Sequence, residues 1–190
     1  MQVFTAPDAW KGGYYELLIC PLAHFPEVPC SALKALWTFP SLRGCYLRRD
    51  LSPSAQARVT PCERGTEERL YGVATLPNQR LVSCGSYETI AHSDNLHWIG
   101  FYLPLGSLTE AYPIGSYPFG STDRVSEWMP EINAFLADIA RWIHEKVPIS
   151  IAVVGFEVNL ANVSPEKIRT QGIQLERNEG ILWNDGTDLG

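Results

Sequence analysis

Between positions 84 and 97 the chain gathers Cys84, Glu88, His92, Asp94 and His97, its densest cluster of side chains able to do chemistry. A thiol beside an imidazole can ionise near neutral pH, and an acid behind the imidazole orients it. Cys84, His92 and Asp94 are therefore the candidate nucleophile, base and orienter of a small hydrolase. Their spacing argues the other way. Catalytic triads converge from distant segments, whereas neighbours along a strand, turn and strand are held apart by strand geometry. The competing reading makes Cys84 structural and gives His92 and Asp94 to the turn. His92 and His97 with Asp94 are also suitable ligands for Zn²⁺ or Fe²⁺. They match no recurring metal motif, so neither a metal nor a cofactor is expected. His144 stands alone near a helix end, where it is expected to complement the helix dipole.

Two further features invite a functional reading. Glu157 is the single acid in the run ISIAVVGFEV. A buried carboxylate costs several kcal/mol unless paired, so Glu157 either emerges at a strand end or is a general acid or base with a raised pKa. The segment Pro104 to Gly120 alternates Tyr112, Tyr117 and Phe119 with glycines and prolines. Rigid aromatic anchors on such a loop suit recognition, and they equally suit a covering loop packed over a core. With the exposed acids Glu110 and Asp123, these three aromatics form the candidate binding face.

The elements that must position these residues follow from periodicity. Tyr14–Cys20 reads as a buried strand, Ser31 caps a short helix through Trp37, and 44–49 is a further strand. The stretch 50–68 is the most loop-like. Runs at 69–76 and 79–89 around Pro77-Asn78 make an antiparallel hairpin, and Leu96–Leu103, apolar at nearly every position, reads as the central strand buried on both faces. Ile132, Phe135, Leu136, Ile139, Ala140 and Ile143 recur at steps of three and four, which predicts an amphipathic helix from Pro130 to about Lys146. A strand at 149–158, a helix start at Ser164 and a last hairpin joining 173–176 to 181–183 complete the chain. The expectation is an α+β fold in a single domain, 1–190: a largely antiparallel sheet, a meander plus a central strand, covered by one long helix and closed by a C-terminal hairpin. Regular βαβ alternation and phosphate-cradling glycine motifs are missing, which argues against a nucleotide-binding fold.

Charge and cysteines narrow the function classes. Fifteen Lys and Arg against twenty-one Asp and Glu give a net charge of −6, which speaks against nucleic acid and anionic membranes as partners. Between Arg80 and Arg124 there is no Lys or Arg, only Glu88, Asp94, Glu110 and Asp123. Five widely spaced cysteines without a C-x-x-C pair suggest a reducing compartment. No apolar run approaches the roughly 18 residues of a membrane span, and Met1–Trp10 does not read as a secretion signal, so a cytoplasmic protein is expected. These observations rank a non-enzymatic protein-binding module first, with its acidic aromatic face turned toward a basic partner. A small hydrolase using Cys84, His92 and Asp94, or Glu157, is the alternative.

Overall fold

A computed structural model of the chain describes residues 3–22, 27–62, 69–90, 96–114 and 127–158, and the backbone of Gln2 and of 180–184. Seven strands form one sheet in the order β2-β3-β4-β5-β1-β6-β7. In chain order they are β1 (Tyr14–Pro21), β2 (Leu42–Tyr46), β3 (Leu70–Thr75), β4 (Leu81–Ile90), β5 (His97–Pro104), β6 (Ile149–Phe156) and β7 (Gly180–Asn184). Every neighbouring pair is antiparallel. The expected hairpin is β3–β4, and the expected central strand, β5, lies fourth of seven. The fold is α+β, as the pattern of runs implied.

Alternation along each strand sends successive side chains to opposite faces. The first face carries Leu17, Ile19, Val82, Ile99, Phe101, Leu103, Ala152 and Val154, all buried in one continuous core. Two helices close it. Helix α4 (Met129–His144) contributes Ile132, Phe135, Leu136, Ile139, Ala140 and Ile143, the stripe read from the sequence. Pro130 falls in its first turn, where the missing N–H costs nothing. Helix α2 (Glu27–Leu36) adds Ala32, Leu33 and Leu36, and the Trp142 indole of α4 donates to Ala35 O at 3.1 Å. A single covering helix was expected, yet α2 and α4 share the task. Helix α2 also starts before Ser31, whose hydroxyl donates back to Glu27 O inside the helix rather than capping it. At the other end of α4, the His144 Nδ1 accepts from Ile149 N at 3.2 Å, tying the helix to β6 rather than merely facing its dipole.

The second face is built differently. Near its α1 end (Gln2–Thr5), Phe4 and Trp10 pack edge to face, and with Tyr46, Val73 and Tyr102 they form one apolar cluster. Leu18, Cys20, Trp98, Ile151, Val153 and Val158 form another. Tyr14, Tyr71 and Tyr87 pack against the first cluster, and with its member Tyr102 and the neighbouring Glu16 they make a polar strip. Helix α3 (Leu105–Leu108) follows β5 directly. Strand β7 pairs with β6, while the helix expected from Ser164 and the strand at 173–176 lie outside the described residues. No helix among the described residues is long and apolar enough to cross a membrane.

Candidate functional site

The polar strip is set by strand register. Tyr71, Gly85, Tyr102, Glu16 and Gly155 stand side by side across β3, β4, β5, β1 and β6, all on the second face. In the next row Tyr87 opposes Gly100. The glycines make room for rings. A Cβ on Gly85 would lie 2.4 Å from the Tyr102 ring, and one on Gly100 would lie 2.4 Å from the Tyr87 ring. Each tyrosine therefore lies flat across its glycine partner instead of standing away from the sheet. Tyr14 joins them, its ring centroid 4.6 Å from that of Tyr102, and the Tyr87 and Tyr102 centroids are 6.0 Å apart.

Over this trio sits the Arg69 guanidinium. Its carbon lies 5.8, 5.7 and 5.9 Å from the ring centroids of Tyr14, Tyr87 and Tyr102. Such distances fit attraction between a cation and the negative faces of the rings. Arg69 itself is exposed, and it donates one long hydrogen bond, 3.5 Å, to the Tyr14 hydroxyl.

Glu16 lies in the same strip and is 6% exposed. Both of its oxygens are engaged: Oε2 accepts from the Tyr87 hydroxyl at 2.8 Å, and Oε1 accepts from Val158 N at 2.8 Å. Burial nevertheless pushes its pKa up to about 7, the two hydrogen bonds and Arg69 working against that rise and the charge of Glu157 adding to it. Burial also raises the Tyr87 and Tyr102 hydroxyls, so both remain protonated donors at neutral pH.

The residues singled out from sequence are dispersed. Cys84 is fully buried on the first face, beside Cys45, and burial holds its thiol well above the usual range. A thiol that neither ionises nor meets solvent is no nucleophile. Glu157 is exposed just past β6, so it is the strand-end acid rather than the buried one, and its backbone N–H donates to Tyr14 O at 3.0 Å. His97 Nδ1 sits 2.8 Å from Oε1 of Glu88, a pairing the sequence did not suggest. Cys62 lies close to Cys30 and Glu88, and burial pushes its thiol up to about 12. No three His, Cys, Asp or Glu residues among those described are arranged to hold a metal ion. Glu110 is exposed, but Tyr112 is only 9% exposed and packs into the first-face core, the place of a covering residue rather than an anchor. His92, Asp94, Tyr117, Phe119 and Asp123 lie outside the described residues.

Glu16 is the functional candidate that sequence reasoning passed over. Its signal was present, a lone acid inside the apolar run YYELLIC, the same signal that drew attention to Glu157. Gly85-Ser86-Tyr87 and Gly100-Phe101-Tyr102, one on each of two paired strands, were the second signal. Nothing in the sequence pointed to Arg69.

No protein-family model matches the chain, and neither a curated protein nor a solved structure gives a significant match.

Proposed function

We propose that this chain is a non-enzymatic protein-binding module that meets a basic partner through the tyrosine and carboxylate strip on the second face of its sheet. The observation that carries this reading is the trio Tyr14, Tyr87 and Tyr102, the last two held flat over paired glycines and Tyr87 hydrogen-bonded to Glu16, with Glu157 exposed at its margin. Rigid aromatic rings bring contact area with little entropy to lose, and acids beside them favour a cationic counterpart. The excess of acids over bases and the Lys- and Arg-free stretch from Leu81 to Asp123 support the same partner chemistry. The reading keeps Glu110 as an outlying acidic contact and moves Tyr112 to the core. It also keeps the protein in a reducing compartment such as the cytoplasm, in keeping with five cysteines that form no disulfide.

Full burial of Cys84 weighs against the hydrolase alternative. Glu16 has a pKa suited to proton transfer, but both of its oxygens are occupied and a substrate has little access to them.

Titration with an oligo-arginine and an oligo-glutamate peptide, at low and high salt, tests the proposal. The basic peptide alone should bind, its association rate should fall with salt, and Glu157→Lys should weaken binding more than Glu110→Lys. Equal binding of both peptides would overturn the proposal. A larger effect of Glu110→Lys would move the face back to the loop.

A further inference from the structure

We infer that Tyr14, Tyr87 and Tyr102 form a receptor for a guanidinium group, and that Arg69 is an internal occupant which an arginine side chain of the partner replaces. The inference rests on the binding-module reading and names the group that the strip recognises.

The three rings surround one point above the sheet, and that point already holds a guanidinium carbon, nearly equidistant from all three centroids. Two of the three are held by contacts that do not involve Arg69, while the Tyr14 hydroxyl accepts its hydrogen bond. Tyr102 and Tyr87 are seated by Gly85 and Gly100, and Tyr87 is further anchored through its hydroxyl to Glu16. These two walls of the site are therefore preformed, and removing its occupant should leave them standing.

The occupant, by contrast, is loosely held. Arg69 is exposed, its one hydrogen bond is long, and among the described residues no carboxylate forms an ion pair with it. A planar guanidinium stacks on aromatic faces and sheds water more readily than an ammonium does, which is why the present occupant argues for arginine over lysine as its replacement. Glu16 lies beside the rings as the acceptor of the Tyr87 hydroxyl, and a carboxyl there offers an entering anion no counter-charge.

The test uses N-methylguanidinium as probe and needs no protein partner, so its outcome is independent of whether a basic peptide binds. Calorimetric titration of Arg69→Ala should show binding at least tenfold tighter than to the unaltered chain, because the internal competitor is gone. Adding Tyr14→Leu, at a half-buried position, should abolish it. If that double variant melts early, the unaltered chain answers instead: saturating N-methylguanidinium should shift the Arg69 side-chain Nε–H resonance as the residue is displaced. Equal affinity of Arg69→Ala and the unaltered chain, or an Arg69 resonance that stays still at saturation, would overturn the inference. Tighter binding of tetramethylammonium than of N-methylguanidinium to Arg69→Ala would overturn the assignment to guanidinium.

Discussion

The two faces of the sheet are built differently, one as a sealed core and the other around the strip that we propose binds a partner. On the first face the side chains of β1, β4, β5 and β6 are mostly apolar and meet α2 and α4, with a few buried hydrogen bonds such as Tyr15 to Asn133 and Trp37 to Ser86 among them. On the second face the same strands carry Glu16, Tyr87 and Tyr102, and partial exposure is kept at Tyr14 and Tyr87. One strand serves both purposes because alternation decouples its faces: β1 gives Leu17 and Ile19 to the core while Tyr14 and Glu16 go to the strip. A half-polar, tyrosine-rich face on a central strand departs from the apolar pattern that packing alone favours, and the proposed binding role rests on that departure.

The sharpest way to break this contrast is on the first face. Ile139→Asp puts a charge into a site of zero exposure between α4 and the sheet, and it should cost at least about 4 kcal/mol or abolish the cooperative thermal transition. A near-unaltered melt would mean that α4 does not seal the core. Tyr112→Ala should behave as a first-face substitution, lowering stability by about 3 kcal/mol in a denaturant titration, whereas Tyr14→Ala should cost about 1 kcal/mol. Equal losses would erase the distinction between covering and presenting tyrosines.

A third measurement probes the second face through pH. The neutral Glu16 carboxyl suits its buried site and the ionised one does not, since its pKa rises from an ordinary 4.5 to about 7. Its contribution to stability is therefore complete below about pH 4.5 and is lost as pH rises through about 7, a difference of up to roughly 3 kcal/mol. Denaturant midpoints of the unaltered chain should carry this decline, and Glu16→Gln should flatten it. A profile unchanged by that substitution would mean the carboxyl is not buried in solution. The smallest effect concerns both faces: none of the five cysteines is in a disulfide, so a reductant should leave the melting temperature unchanged within error. A fall of many degrees would reveal a disulfide.

Legibility followed the same division. The stripe Ile132 to Ile143 and the run from Leu96 to Leu103 were readable because a buried helix and a doubly buried strand leave strong periodic signatures. The β3–β4 hairpin was readable from Pro77-Asn78. The strip was not, because its members come from five separate segments of the chain and only register brings Glu16 beside Tyr102 or Tyr87 across Gly100. The lone acids of YYELLIC and ISIAVVGFEV look alike in sequence, since both interrupt an apolar run. Geometry reversed their standing: Glu16 sits mid-strand between two neighbours, while Glu157 lies past the end of β6, with φ of 46°.

The position of β1 between β5 and β6 also dictates when the molecule can be completed. Ile19 pairs with Ile99, 80 residues downstream, and Leu18 pairs with Val153, 135 residues downstream. During synthesis this apolar strand emerges with both hydrogen-bonding edges bare and waits for most of the chain before either is covered, while the β3–β4 hairpin closes at once from local contacts. A nascent chain halted before β5 would carry an unpaired YYELLIC segment, which is the part of this protein most exposed to self-association and to capture by chaperones.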